Sequence, residues 1–268
     1  GLSVGSNISE KIDNSSVTSV TTSVAKLLTI ENPNSEGFDN LPFAEIEAAA
    51  ITQLFPNHKR IAGENATQTQ VIAALSENYD IFHFTGHGNY NCDRAEDSAL
   101  YLNGKDTLTL KDICAIPNLN NYKLVTLAAC ETAITGKDGI EKDYVGLVSA
   151  LLYQRVTYVL STLWTIPEKA SSLLTSYFYW QLRKGKEPAI ALTISQKWLK
   201  NLTHRKLARY YQIIFAKLLK EEKPLRPHLR NELSKISKIE ESQKKEKPFQ
   251  NPYNWAAFTI TGKTQPSK

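Results

Sequence analysis

Apolar and polar residues follow each other along the chain in two rhythms. Residues 26–30, 58–62, 80–85, 99–102, 123–129, 156–163 and 254–261 are short runs rich in Leu, Ile, Val, Phe and Thr, bounded by Asn, Pro, Gly or charged residues, and read as strands. Elsewhere the apolar positions return every three or four residues. Phe43, Ile46, Ala49, Ala50 and Leu54 share one face of a helix over 42–55. Further helices are predicted over 67–75 with Thr67 as N-cap, 109–115 with Asp112 inside, 144–153, 168–183 and 187–199. Two charged helices, 205–220 and 226–241, are separated by Pro224 and Pro227. The inner runs, IFHFT and KLVTLAA above all, are nearly continuous in apolar character. Strands buried on both faces read this way, so the pattern predicts an α/β fold with a mainly parallel central sheet and helices on both faces. There is no internal repeat.

Composition narrows the class. A chain of 268 residues is long enough to bury a core without disulfides or a structural metal. No stretch of about 18 uncharged apolar residues occurs, which excludes a helical membrane span. Residues 1–24, rich in Ser, Thr and Asn, lack the basic start and apolar core of a secretory signal and read as a poorly ordered segment. Cys92, Cys114 and Cys130 contain no CxxC pair and cannot all pair, which points away from a disulfide framework and towards a reducing compartment, the cytoplasm. The absence of Met and the Gly at the start suit a C-terminal piece of a longer chain.

The net charge of +5 is uneven. Residues 197–247 hold fifteen Lys or Arg against six Glu, and the rest of the chain is net negative. Such a segment is either a solvated helical surface or a site for nucleic acid or an acidic partner. Tyr210, Tyr211 and Phe215 lie in it at helix-face spacing, as core contacts do, and direct nucleic-acid binding is not expected.

Two places carry candidate chemistry. Gly86-His87-Gly88 follows the strand IFHFT, and the glycines leave a histidine free to project from a tight turn. Ala128-Ala129-Cys130-Glu131-Thr132 follows KLVTLAA, and a thiolate there attacks carbonyls well when a histidine takes its proton. Taken singly, the first reads as a turn with an incidental histidine and the second as a buried structural cysteine. Together they place a base and a nucleophile at the carboxyl ends of two inner strands, where parallel sheets gather their chemistry. His83 alternates with apolar residues and reads as an interior histidine; His58, His204 and His228 read as surface, Cys114 as packed, and Cys92 as a loop thiol. No metal-ligand spacing is present, and no cofactor is expected.

The succession FHFTGHG, LVTLAACETA, DYVGL, VLSTLWTI, YFYWQL and NPYNWAAFTITG resembles the ordered blocks of the CHAT domain, a family of caspase-like and separase-like cysteine proteases, over about residues 25–263. The LPFAEIEAAA helix also fits. The resemblance implies a caspase–haemoglobinase-like three-layer sandwich, with a basic helical insertion at about 201–250 and a short tail over 264–268. It implies His87 as catalytic histidine, Cys130 as nucleophile, and the backbone N–H groups of Gly88 and Cys130 as the oxyanion hole. The chain departs from the family's usual pattern at Gln154-Arg155, where an Ala-Gly-like turn is common, at Pro167-Glu168 and at Ala133-Ile134.

The implied function is a cysteine endopeptidase that cuts a specific partner protein. CHAT domains often follow helical TPR repeats, which implies control by an upstream region or a partner. The alternative is a catalytically silent CHAT domain acting as a protein-interaction module. Two acidic loops flank the dyad in sequence, with Asp93, Glu96 and Asp97 after the histidine and Asp138, Glu141 and Asp143 after the cysteine. They read either as solvated loop charge or as a pocket for Arg or Lys before the cleaved bond. The loop over 132–144, with Gly136 and Gly139, is the expected switch segment.

Overall fold

The apolar runs become the inner strands of one eight-stranded sheet. The computed structural model describes residues 25–89, 94, 97–131, 145–218 and 223–262. In chain order the strands are β1 (Leu27–Pro33), β2 (His58–Gly63), β3 (Ile81–Asn89), β4 (Ala99–Tyr101), β5 (Thr107–Thr109), β6 (Leu124–Glu131), β7 (Tyr158–Thr162) and β8 (Phe258–Gly262). The sheet order is β2-β1-β3-β6-β7-β8, parallel throughout except for β8, with the β4–β5 hairpin pairing onto the end of β3. The helices are α1 (Pro42–Thr52), α2 (Gln68–Leu75), α3 (Leu110–Ala115), α4 (Val145–Tyr153), α5 (Glu168–Arg183), α6 (Pro188–Lys200), α7 (His204–Lys217) and α8 (Arg226–Ser237).

Every residue of β1 is buried, as are the first eight of β3, because helices cover both sides of the sheet. Leu27, Ile81, Leu124 and Leu160 pack against α1 and α5, with α6, α7 and α8 extending that layer. Leu28, Phe82, Phe84 and Val125 pack against α2, α3 and α4 on the other side. This is the three-layer α/β arrangement expected from the pattern. Among the described residues, no helix is long and apolar enough to cross a membrane.

Local chemistry sets most boundaries. Thr67 caps α2 by accepting from the Gln70 N–H. Thr109 and Asp112 form a reciprocal capping box at α3. Pro42 and Pro188 stand in the first turns of α1 and α6, where their missing N–H groups cost nothing. Tyr211 is buried as a core contact, and Tyr210 and Phe215 pack partly buried beside it.

Some boundaries move. β3 does not stop at Thr85 before a Gly-His-Gly turn; it runs through Gly86, His87 and Gly88 to Asn89. β6 likewise includes Cys130 and Glu131. Each extends the other, since His87 pairs with Cys130 and Gly88 with Glu131 in the ladder. β8 begins at Phe258 and not at 254, because Pro252–Asn254 forms a 3-10 turn capped by Asn251. α7 and α8 end at Lys217 and Ser237, short of the expected 220 and 241. Cys114 is exposed and not packed, since six-residue α3 turns Ile113 inward instead. His204 is half-buried, while His58 and His228 are exposed.

Candidate functional site

The strand order reverses direction between β1 and β3. From β1 the chain enters α1 on one face of the sheet, and the connection from β2 to β3 uses α2 on the other. In open α/β sheets a crevice opens at such a point, at the carboxyl ends of the strands. His87 lies there, third from the end of β3.

Strand alternation puts Ile81, His83, Thr85 and His87 on one face of β3, the face that α1 and α5 cover. His87 is 3% exposed. Its Nε2 donates to the carbonyl oxygen of Asp39 at 2.9 Å; a carbonyl can only accept, so Nε2 carries the hydrogen. Its Nδ1 is buried and has no hydrogen-bond partner among the described residues. Phe38 stacks on the ring with centroids 4.7 Å apart, and Tyr101 on β4 backs Phe38 at 4.5 Å. One face and one nitrogen of the imidazole are thus held, and the other nitrogen has no hydrogen-bond partner among the described residues.

Cys130 is the direct register partner of His87 on the adjacent parallel strand. Neighbouring strands lie about 4.8 Å apart. The glycines beside the histidine serve space more than conformation, for neither has a positive φ. A Cβ at Gly86 would stand 2.9 Å from Cδ of Pro33 and 3.0 Å from Cζ of Phe84. At Gly88 it would meet the Ala129 Cβ at 3.1 Å. Gly88 pairs with Leu100 on one side and Glu131 on the other.

Below His87 on the same face lies a buried polar column. His83 Nε2 is 3.0 Å from Glu47 Oε1 of α1, though poorly aligned for a hydrogen bond. Tyr179 of α5 lies 3.3 Å from His83 Nδ1, and its hydroxyl is 2.8 Å from that of Thr126. Burial pushes the Tyr179 phenol far above its ordinary value. His83 is therefore the interior histidine that its alternation suggested.

The segment after β1 supplies what the sequence left unnoticed. A cavity of about 200 Å³ opens between residues 32–40 and the end of β2, lined among others by Asn32, Phe38, Asp39, Glu45 and Glu64. Next to Asn32 along β1, Glu31 forms a two-point pair with Arg60 at 2.7 and 3.0 Å. Burial nonetheless raises the Glu31 carboxyl above its usual value, against the pull of Arg60. Of the acidic residues expected to form a pocket, Asp97 is paired with Arg94 at 2.5 Å. Asp93, Glu96, Asp138, Glu141 and Asp143 lie outside the described residues, as do Cys92, the loop over 132–144, the N-terminal segment 1–24 and the tail 264–268. The only sign of the β1 loop's importance in the sequence was Asn32-Pro33-Asn34, which reads as an ordinary turn.

The family profile of the CHAT domain matches residues 3–263. No curated protein matches the chain. Among solved structures, the complex of Porphyromonas gingivalis RgpB pro- and mature domains is 12% identical, with a TM-score of 0.45 over 65% of this chain and 43% of that one. The Arg specific cysteine proteinase gingipain R is 13% identical, with a TM-score of 0.42 over 61% and 38% of the respective chains. The chain thus spans less than half the length of these two proteinase chains. Pyridoxal kinase from Staphylococcus aureus in complex with AMP-PCP and pyridoxal is 11% identical, with a TM-score of 0.33 over 65% of this chain and 85% of that one.

Proposed function

The chain belongs to the CHAT domain family, and from that premise we propose that it is a cysteine endopeptidase with Cys130 as nucleophile and His87 as general base. The observation that carries this reading is the ladder pairing of His87 with Cys130, joined to a histidine whose Nδ1 is left open. Paired positions on adjacent parallel strands share a face of the sheet, which supports this pairing of roles.

The chemistry then runs as follows. Nδ1 of His87 takes the thiol proton of Cys130, and the sulfur attacks the scissile carbonyl carbon. The oxyanion accepts hydrogen bonds from the backbone N–H groups of Gly88 and Cys130. His87 returns the proton to the leaving amine as the C–N bond breaks, leaving a thioester. Water, deprotonated by His87, hydrolyses the thioester and restores the thiol. The Asp39 carbonyl holds the imidazole in the required tautomer throughout. A free thiol of this kind suits a reducing compartment such as the cytoplasm. The substrate is a partner protein, and an upstream TPR-type region or a second protein controls access to the dyad.

A basic residue before the cleaved bond belongs to the same proposal. Its support is Asp39, Glu45 and Glu64 on the wall of a cavity that is also lined by Phe38, the residue stacked on the His87 ring. Peptides that differ only at that residue test it: cleavage after Arg or Lys should exceed cleavage after Ala or Asp by tenfold or more, and equal rates would discard it.

The dyad is tested by a small alkylating probe followed by peptide mapping. Cys130 should label faster than exposed Cys114, and His87→Ala should slow Cys130 alone. New protein N-termini formed in a cell lysate by the wild type should vanish with Cys130→Ala, with a loss of about 10³-fold or more in rate. Equal labelling of Cys130 with and without His87, and no new termini, would leave the chain an interaction module.

A further inference from the structure

The imidazole of His87 is oriented by a largely exposed loop. Asn34, Glu36, Gly37, Asp39 and Asn40 are all exposed. The first half of the loop is tied to the β4–β5 hairpin, where Glu36 N–H donates to the Gly104 carbonyl at 2.7 Å and Gly104 N–H donates to Asn34 at 2.9 Å. The second half, which carries Asp39, is held by Phe38, packed between His87 and Tyr101, and is hydrogen-bonded from below by one side chain.

That side chain is Asn32. It occupies a bulge: Glu31 pairs with Ala62 and Pro33 with Gly63, so Asn32 has no partner of its own on β2. Its φ is +42°, in the left-handed region that Asn tolerates better than most residues. A bulge re-aims a side chain that regular alternation would have sent elsewhere. Asn32 is 6% exposed, and its amide is fully used. Oδ1 accepts from the Leu41 N–H at 3.0 Å, and Nδ2 donates to Glu45 Oε1 at 2.7 Å and to Oδ1 of Asn40. Residues 40 and 41 are thereby clamped immediately after Asp39, and Glu45 secures the clamp to the first turn of α1.

We infer that Asn32 is the positioning residue of the histidine: through the clamp on Asn40 and Leu41 it holds the Asp39 carbonyl against Nε2, and so keeps the lone pair on Nδ1. Strained backbone of this kind persists where the surroundings over-determine it, and functional sites collect it. The inference rests on the protease reading for its consequence in catalysis, but its structural core is a statement about one tautomer.

The test uses the whole chain and two variants. Asn32→Gly keeps the positive φ and removes all three side-chain bonds. Asn32→Asp keeps the acceptor for Leu41 and loses both donations. Long-range proton–nitrogen NMR of labelled histidine, with the imidazoles neutral, reports the tautomer of His87 independently of turnover. In the wild type Nε2 carries the hydrogen. In Asn32→Gly both tautomers should appear, with kcat for a cleaved peptide down by about tenfold to a hundredfold and KM little changed; Asn32→Asp should fall between. A His87 tautomer unchanged in Asn32→Gly overturns the inference, whatever happens to activity or melting temperature. A tautomer shift in Asn32→Gly, with a wild type that itself cleaves nothing, upholds the clamp and sinks the protease reading instead.

Discussion

Arg155 is exposed and holds a φ of +66° in the turn between α4 and β7, a conformation in which a Cβ is crowded by its own backbone. The left-handed region costs a side-chain-bearing residue about 1–2 kcal/mol, part of which glycine forfeits through its greater freedom when unfolded. Arg155→Gly should therefore stabilise the chain by about 0.5–1 kcal/mol, measured as a higher denaturation midpoint at unchanged slope. Gly86 and Gly88 show the opposite logic. Their value lies in the room they leave for Pro33, Phe84 and Ala129, not in an unusual φ. A Gly-His-Gly triplet reads as a turn because glycine's two uses look identical in sequence.

At the scale of elements, α8 is docked onto α5 by a charge cluster. Glu232 is 8% exposed and receives Lys169 of α5 at 2.5 Å and Lys235 of its own helix at 2.9 Å. Burial by itself would raise the Glu232 carboxyl, but the two ammonium groups outweigh it and hold the carboxyl below its usual 4.5. A depressed carboxylate contributes stability that is present above 4.5 and is lost as pH falls through the lowered value. Amide exchange in α8 should accelerate on acidification below pH 4.5 before exchange in β3 or β6 does. Glu232→Gln should remove that selective acid response. A charged helix from 226 was legible in the sequence, though four residues longer than the observed one, while its tie to Lys169, sixty-three residues earlier, was not.

Over the whole molecule, the buried phenols record how completely the two helical layers close on the sheet. Tyr122, Tyr179 and Tyr211 lie at 0%, 0% and 1% exposure, and burial pushes each phenol well above its ordinary 10. Tyr79 and Tyr210, also desolvated, are pushed up to about 12. A raised phenol favours the neutral folded form, so its contribution is full below pH 10 and is lost as pH rises towards the raised value. Absorbance titration should show the buried Tyr122, Tyr179 and Tyr211 released together, only as the fold opens. Gradual ionisation of Tyr179 in a chain with intact circular dichroism would contradict this packing.

Periods of two and three to four residues, caps such as Thr67 and Thr109, and prolines at helix starts act within a few residues of where they are written. That is why the succession of strands and helices, the buried parallel sheet and the ordered family blocks could be read along the chain. Other features depend on which segments become neighbours. The ladder pairing of His87 with Cys130, the closing of Asp39 onto the imidazole, the bulge that turns Asn32 towards residues 40 and 41, and the meeting of Glu47 with His83 each join positions brought together by strand order and register. Register is settled by the packing of both sheet faces at once, and no local stretch contains that sum.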